Sequence, residues 1–165
     1  PDRVWMTSAG HGTMGFDVPT MIGAMIESSD NYDYGLVFVG DGSFQMNIQE
    51  LATIKRYGLA VKIILLDNST LGLVRQWQEL FFNENYSEVD LSDNPDFAVV
   101  AQAFGIPSRT ISKQAEVAAG LDWLLTTEGP ALLHVPINPR ENAWPLVAPG
   151  NPNHKMMQAN STRKR

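Results

Sequence analysis

Residues 36–42 and 61–68 read Leu-Val-Phe-Val-Gly-Asp-Gly and Val-Lys-Ile-Ile-Leu-Leu-Asp-Asn, and these two stretches decide the fold. Each is an apolar run that ends in a polar turn, and a helical pattern from Phe44 to Tyr57 lies between them. Strand, helix and strand in that order predict two parallel strands joined by a crossover. Because the chain continues this alternation, we predict an α/β fold, a doubly wound and mostly parallel sheet with helices on both faces.

The polar turns of the two strands are expected to meet in space. Neighbouring parallel strands end at the same edge of a sheet, and open α/β folds bind their ligands at that edge. Asp41 and Asn68 are therefore predicted to lie close together although they are far apart in the sequence.

The residues of these turns suit a diphosphate and a metal ion. Gly40 and Gly42 let the backbone approach a ligand closely, and a helix beginning near Ser43 directs its free N–H groups at the same place. Asp41 offers a carboxylate and Asn68 an amide oxygen, and Mg²⁺ prefers oxygen ligands that it shares with phosphates. The turns together predict a Mg²⁺–diphosphate site, whereas Asp-Gly taken alone predicts only a surface hairpin turn.

Gly-Asp-Gly, followed at this spacing by an asparagine after the next strand, resembles the cofactor signature of thiamine diphosphate enzymes. The family has Asn-Asn at the second turn and uses the second asparagine as a metal ligand; here Asp67 replaces the first and Asn68 retains the second. The resemblance implies thiamine diphosphate and Mg²⁺ as cofactors. It implies that Asp41, Asn68 and the backbone carbonyl of Thr70 hold the metal.

A glycine-rich loop at residues 10–16, Gly-His-Gly-Thr-Met-Gly-Phe, resembles Gly-Leu-Gly-Thr-Met-Gly-Phe of acetohydroxyacid synthases. In that family the methionine wedges under the bent cofactor, and the glycine two residues earlier accepts a hydrogen bond from the aminopyrimidine. The resemblance assigns these roles to Met14 and Gly12, although a gap-filling core residue is the alternative for Met14. His11 is interpreted as an exposed loop residue, with a polar substrate contact as its alternative. The cofactor-binding residues implied are Gly12, Met14, Gly40, Asp41, Gly42, Ser43 and Asn68.

A predicted helix over residues 73–82 carries the segment Val-Arg-Gln-Trp-Gln-Glu-Leu-Phe-Phe, which closely resembles acetohydroxyacid synthase catalytic subunits. The resemblance implies a catalytic role for Trp77 in preferring 2-oxobutyrate as the second substrate. Helical spacing alone predicts that Val74, Trp77 and Phe81 face the core. We keep that core interpretation for Val74 and Phe81 but not for Trp77.

The rest of the chain completes the alternating pattern. The polar, acidic residues 83–96 predict a mobile loop. A helix starting near Asn94, a short strand at 107–111, a helix near 117–125 and a strand at 131–137 follow, and we interpret His134 as a satisfied core residue. Residues 141–150 resemble a carboxyl arm that packs across the active site in acetohydroxyacid synthases. The domain is predicted to span residues 1–150, with a flexible tail at 151–165.

Composition restricts the functions that are open to this chain. Its 165 residues fit one domain, its formal charge of −6 argues against a nucleic-acid partner, and no cysteine is present for a disulfide or thiol nucleophile. No apolar run reaches membrane-spanning length and no signal peptide opens the chain, so we predict no membrane partner and a cytoplasmic location. The start at Pro1, without methionine, favours a piece of a longer or processed polypeptide.

The resemblance covers residues 8–150 and implies the carboxyl-terminal, diphosphate-binding domain of an acetohydroxyacid (acetolactate) synthase large subunit. That family is an oligomeric transferase of branched-chain amino-acid (valine and isoleucine) biosynthesis. It decarboxylates pyruvate on thiamine diphosphate and joins the two-carbon unit to pyruvate or 2-oxobutyrate, both small 2-oxo acids. The activating glutamate comes from the amino-terminal domain of a second subunit and FAD binds mainly in a middle domain, so residues 1–165 alone are expected to be inactive. A small regulatory subunit is a further implied partner.

Two alternatives to this reading stay open. One is another thiamine diphosphate enzyme, such as a pyruvate oxidase or a 2-oxo acid decarboxylase, against which the segment around Trp77 argues. The other is a non-catalytic module that binds Mg²⁺ and phosphate. The first would form a different product from pyruvate, and the second would bind diphosphates without selecting for thiamine.

Overall fold

The computed structural model describes residues 3–28 and 30–159. Within those residues the strands are β1 (Gly35–Gly40), β2 (Val61–Asp67), β3 (Ser108–Thr110) and β4 (Ala131–Pro136). The helices are α1 (Asp17–Ser28), α2 (Asp41–Gln45), α3 (Glu50–Tyr57), α4 (Gly72–Phe81), α5 (Phe97–Ala103) and α6 (Val117–Thr126). Two short 3₁₀ turns lie at Gln114–Glu116 and Asn153–Lys155.

The four strands form one sheet in the order β1-β2-β4-β3, and every neighbouring pair is parallel. The register places Gly40, the last residue of β1, opposite Leu66 of β2. The carboxyl ends of these two strands therefore lie side by side, as the strand–helix–strand pattern predicts.

Side chains of the buried strands alternate between two apolar layers, as the pleat of a sheet requires. The larger layer joins the strands to α1, α3 and α5, and the smaller one joins them to α6. Strand residues of the larger layer are Val37, Val39, Val61, Ile63, Leu65 and Leu132. Strand residues that are buried in the smaller layer are Ile64, Ala131 and Leu133. Helices thus cover both faces, and the predicted doubly wound α/β architecture is confirmed.

The single helix predicted from Phe44 to Tyr57 is wrong, because the structure has two helices there, α2 and α3. Between them the backbone forms tighter turns, in which the N–H of Asn47 donates to the Phe44 carbonyl at 3.2 Å. The Asn47 side chain explains the break: its Nδ2 donates to the backbone carbonyl of Gly15 at 2.6 Å. Asparagine readily bonds to backbone groups in this way, in competition with a continuous helix.

The prediction of a mobile loop over residues 83–96 is wrong for residues 89–94, which are tied to the turn after β2. The N–H of Leu71 donates to the carbonyl of Val89 at 2.9 Å, and that of Leu91 donates to Ser69 at 3.0 Å. Val89 is buried although its neighbours are polar. Composition alone predicted a loop with little to bury, and it missed this apolar anchor.

The carboxyl-terminal part of the described chain returns to the domain. Leu146 and Met157 exchange two backbone hydrogen bonds, at 3.1 and 2.7 Å. The boundary at residue 150 and the flexible tail stay predictions, and residues 160–165 of that tail lie outside the described residues. In the described part of the chain, no helix combines the length and the apolar character needed to cross a membrane.

Candidate functional site

The polar ends of β1 and β2 meet around one amide group. Asp41, which follows β1, is 2% exposed, and Asp67, which ends β2, is 8% exposed. The Nδ2 group of Asn94 donates to Asp41 Oδ2 at 2.8 Å and to Asp67 Oδ1 at 3.3 Å. Two carboxylates from neighbouring strands therefore share one neutral donor at the carboxyl edge of the sheet.

The two carboxylates differ in their readiness to lose a proton. Burial raises the pKa of Asp41, and the neighbouring Asp67 carboxylate raises it further. Burial also acts on Asp67, but hydrogen bonds from His134 and the Ser69 backbone outweigh it and lower the pKa of Asp67. A cation beside Asp41 would therefore favour its ionised form, which the surroundings otherwise oppose.

His134 lies behind Asp67 rather than in the opening of the site. Its Nε2 is 3.0 Å from Asp67 Oδ2 and its Nδ1 is 3.3 Å from the hydroxyl of Thr110. The ring is buried and both of its nitrogens have partners, which confirms the interpretation of His134 as a satisfied core residue. Its consequence for the site is indirect, since it fixes Asp67.

The turn after β2 holds Asn68 and Thr70 in fixed positions. The N–H of Thr70 donates to Asn68 Oδ1 at 3.2 Å, and the Thr70 hydroxyl donates to the Val89 carbonyl at 2.7 Å. Gly72 completes the arrangement, because a Cβ there would lie only 2.6 Å from Asn68 Nδ2. The side chain of Asn68 thus rests on the bare backbone of Gly72.

The glycine-rich loop is docked onto the turn after β1. The Gly15 N–H donates to the Ser43 hydroxyl oxygen at 2.8 Å, and that hydroxyl donates to Asp17 Oδ2 at 3.1 Å. Gly15 has a φ of 80° and no room for a side chain, since a Cβ would lie 2.4 Å from Asn47 Nδ2. The Ser43 hydroxyl therefore joins two segments of the protein, and its predicted contact with a cofactor stays a prediction.

The structure brings Met14 to the Gly-Asp-Gly turn. Met14 is 38% exposed, and its Cε would lie 3.2 Å from a Cβ placed on Gly42. Leu71 also fills the space that a side chain on Gly42 would need, whereas a side chain on Gly12 or Gly40 would extend into open space. An apolar side chain thus lies against the turn after β1, next to the buried carboxylate of Asp41.

Among the described residues, no group of three or more His, Cys, Asp or Glu side chains is placed to hold a metal ion. An ion at Asp41 would have to complete its shell with amide, carbonyl, phosphate or water oxygens. Mg²⁺ accepts that set of ligands, and the amide of Asn68 and the carbonyl of Thr70 belong to the adjoining strand end. The residues present therefore fit a magnesium ion shared with a diphosphate.

Helix α4 leaves this edge with its apolar side outward. Trp77 is 40% exposed, packs edge-on against Phe81 at 5.5 Å between ring centroids, and lines an open groove of about 570 Å³. The groove is lined by Leu73, Val74, Trp77, Gln78, Phe82, Asn85 and Ser87. The prediction that Val74 faces the core is wrong, because its side chain is exposed, and Phe81 is only half-buried.

The inward side of α4 is polar. Gln76 is fully buried, and its side-chain amide donates to the Ala143 carbonyl at 2.9 Å and accepts from the Ala143 N–H at 3.0 Å. Arg75 forms an ion pair with Glu79 at 2.7 Å and donates to the side chain of Asn142. These bonds attach the carboxyl arm to α4 and turn the apolar side of the helix away from the core.

Sequence patterns missed three residues that build the site. Asn94 stands before Pro95 in a polar segment, so its only sequence signal was an expected helix start. Gly72 carries no signal of its own in the sequence, and Gln76 stands only within the segment that resembles a family motif. Asn94 and Gln76 act through contacts with distant segments, which the pattern of their own segments cannot indicate.

Known proteins resemble this chain over most of its length. The family described as "Thiamine pyrophosphate enzyme, C-terminal TPP binding domain" matches residues 1–135. The chain is 52% identical over 154 residues to the acetolactate synthase isozyme 2 large subunit of Escherichia coli (strain K12), covering 93% of this chain and 28% of that protein. It is 41% identical over 160 residues to an acetolactate synthase of Arthrospira platensis, covering 96% of this chain and 27% of that protein.

A solved structure resembles the fold as well. The thiamine diphosphate-dependent 4-hydroxybenzoylformate decarboxylase of Rhodococcus jostii RHA1 matches with a TM-score of 0.69 at 26% identity. The match covers 77% of this chain and 24% of that one. The chain thus spans about a quarter of the length of the curated relatives that it matches.

Proposed function

The chain belongs to the thiamine pyrophosphate enzymes as their C-terminal, cofactor-binding domain, and we propose that the turns after β1 and β2 hold the diphosphate of that cofactor with Mg²⁺. Thiamine pyrophosphate and thiamine diphosphate are the same molecule. The observation that carries the proposal is the buried carboxylate of Asp41 beside the end of β2, at the carboxyl edge of a parallel sheet. Asp41, Asn68 and the Thr70 carbonyl would hold the metal, and residues 40–43 would face the diphosphate.

The remaining residues of the site would shape the bound cofactor. Thiamine diphosphate supplies carbanion stabilisation when it is bound, and the protein supplies position and surroundings. Met14 lies over Gly42, where its apolar side chain would support the bent cofactor from below. The backbone of Gly12, open on one side and at a φ of 59°, would accept a hydrogen bond through its carbonyl.

We propose further that the complete protein is an acetolactate synthase large subunit. The identity of 52% to such a subunit and the segment Arg75-Gln76-Trp77 support this assignment. Its substrates would be pyruvate and a second 2-oxo acid, and its other domains would bind FAD and supply the activating glutamate from a second subunit. A small regulatory subunit and a cytoplasmic location complete the proposal.

Trp77 is proposed to contact the second substrate. Its side chain lines an open groove beside a helix that begins at the metal turn, and it is not enclosed by the core. A broad apolar ring at this place can pack on the extra methyl group that distinguishes 2-oxobutyrate from pyruvate. One methylene in such a pocket gives discrimination of about 10- to 200-fold.

The full-length protein tests the proposal directly. We expect it to form acetolactate from pyruvate, and to lose this activity when thiamine diphosphate or Mg²⁺ is removed. Release of acetaldehyde or acetyl phosphate in place of acetolactate would assign the protein to another branch of the family. Equal calorimetric affinity for ADP and thiamine diphosphate would instead indicate a general phosphate-binding module.

Asp41→Ala tests the metal site within that protein. Loss of the carboxylate removes a ligand of the metal, and without the metal the charge of the diphosphate is uncompensated, so Mg²⁺-dependent cofactor binding should fall below detection in calorimetry. Asp122→Ala, on the exposed side of α6, is the matched control and should bind as the unaltered protein does. Equal cofactor affinity in the Asp41 variant would remove this residue from the site.

A further inference from the structure

Asn94 is the neutral group that holds two buried carboxylates together. The two hydrogens of its amide reach Asp41 Oδ2 at 2.8 Å and Asp67 Oδ1 at 3.3 Å. Both acids are less than a tenth exposed, so water screens the electrostatic interaction between them only weakly. Without a donor between them, the two carboxylates would repel each other at short range.

The direction of the amide is fixed by its surroundings. The NH₂ end of Asn94 faces Asp41 and Asp67, whose carboxyl oxygens accept its hydrogen bonds. At the other end, Nε2 of Gln45 donates to Asn94 Oδ1 at 2.6 Å. Gln45 is exposed and lies at the end of α2, the helix that Asp41 begins. The amide is therefore held at both ends by residues of one short segment.

The backbone of Asn94 is tied to the turn that carries the proposed metal ligands. Its N–H donates to the carbonyl of Leu91 at 3.0 Å, and the N–H of Leu91 donates to Ser69 at 3.0 Å. Ser69 lies between Asn68 and Thr70. Asn94 thus connects the turn after β1, through its side chain, with the turn after β2, through its backbone.

We propose that Asn94 is a positioning residue that holds the Asp41 carboxylate in the orientation that binds Mg²⁺, an inference that rests on the proposed function of the two turns. An amide suits this task because it donates hydrogen bonds without adding a positive charge. A lysine or arginine in its place would neutralise Asp41 and compete with the metal. The amide bonds to both carboxylates at once, and it adds no positive charge that would oppose a cation.

The test measures Mg²⁺ binding to the full-length protein by calorimetry in the presence of thiamine diphosphate. Asn94→Ala should raise the Mg²⁺ dissociation constant about tenfold, the lower end of what loss of a partner to a metal ligand causes. The Mg²⁺ concentration for half-maximal activity should rise in parallel, while kcat at saturating Mg²⁺ stays within about twofold of the unaltered protein. A residue that only supported the fold would lower stability or kcat and leave the metal affinity as it was.

Two further variants make the result decisive. Asn138→Ala removes an exposed asparagine that also donates to a carboxylate, Glu141 Oε1 at 3.2 Å, and it should leave Mg²⁺ affinity unchanged. Gln45→Ala removes the donor that fixes the Asn94 amide and should weaken Mg²⁺ binding by less than Asn94→Ala does. Because Gln45 is exposed, this variant decides the question even where Asn94→Ala does not fold.

The outcomes separate this inference from the function on which it rests. Suppose that the Asn94 and Gln45 variants both bind Mg²⁺ as the unaltered protein does, and that Asp41→Ala still does not bind the cofactor. That result would overturn the role of Asn94 but not the proposed function. Failure of the unaltered protein to bind thiamine diphosphate with Mg²⁺ would overturn the proposed function and, with it, this inference.

Discussion

Helices α3 and α4 are both amphipathic, but they turn opposite sides to the core. α3 buries its apolar side, and Leu51 and Ile54 have no exposed surface. α4 buries Gln76 and leaves Leu73 and Trp77 exposed at 62% and 40%. Periodicity therefore shows which side chains share a face of a helix, but it does not show whether that face is turned inward.

The difference follows from what each helix contacts. α3 packs in the larger apolar layer, where Ile54 meets side chains of the sheet and of neighbouring helices. α4 is held by two hydrogen bonds between Gln76 and Ala143 of the carboxyl arm, which need a polar residue on the inward side. An apolar side that is held outward by polar bonds is available to contact a substrate or another part of the protein.

The largest effect on stability is expected for a substitution in α3, whose apolar side faces the core. Ile54→Ala removes methyl and methylene groups from a fully buried position and should cost about 2–5 kcal/mol of stability. Urea unfolding of the full-length protein measures this loss of stability as a lower urea concentration at the midpoint of unfolding. Ile26→Ala, at an exposed position of α1, is the matched control, and equal midpoints for the two variants would contradict the assignment of α3 to the core.

A smaller effect is expected at the polar inward side of α4. Gln76→Leu keeps the side chain large but leaves the N–H and the carbonyl of Ala143 without partners, at a cost of about 1–3 kcal/mol. Hydrogen exchange measured by mass spectrometry should become faster in residues 141–146 of the arm. Gln102→Leu, at an exposed position of α5, should leave that exchange unchanged. Arm exchange that is equally slow in the Gln76 variant would show that other contacts hold the arm.

The smallest change in free energy is expected for a substitution on the outward side of α4. It amounts to about 1.4 kcal/mol and affects the choice of substrate rather than the stability of the fold. Trp77→Leu should lower the preference for 2-oxobutyrate over pyruvate about tenfold, because the ring that packs on the extra methyl is lost. The measurement is the ratio of acetohydroxybutyrate to acetolactate formed from mixed substrates by the full-length protein. Trp5→Leu, at a position that is 81% exposed, is the control. An unchanged ratio in the Trp77 variant would leave Trp77 without a role in choosing the second substrate.

The sheet and the turns after β1 and β2 were predictable because they depend on local signals. Continuous apolar runs gave β1 and β2, and the parallel order that follows from a crossover placed Asp41 next to the end of β2. The family resemblance then named the cofactor and the residues proposed to bind it. None of these steps needed knowledge of which distant side chains touch.

The parts that could not be predicted depend on contacts between distant segments. Asn47 interrupts a helical pattern because it bonds to Gly15, and Asn94 enters the site because a buried Val89 anchors its loop. Gln76 faces inward because of an arm that lies 67 positions further along the chain. A local pattern contains no information about partners at such distances, so propensity and composition gave the wrong structure at each of these places.

Gly42 shows how one position can link substitutions at several others. A Cβ there would lie 2.8 Å from Leu71, 3.2 Å from Met14 and 3.3 Å from Leu91, side chains that come from three separate loops. In genetic terms, position 42 is a centre of epistasis: a change there alters the effect of a change at 14, 71 or 91. Double-mutant cycles between these positions should give non-additive energies, whereas cycles with a distant exposed residue should be additive. The missing side chain at position 42 thus couples three segments that are distant in the sequence.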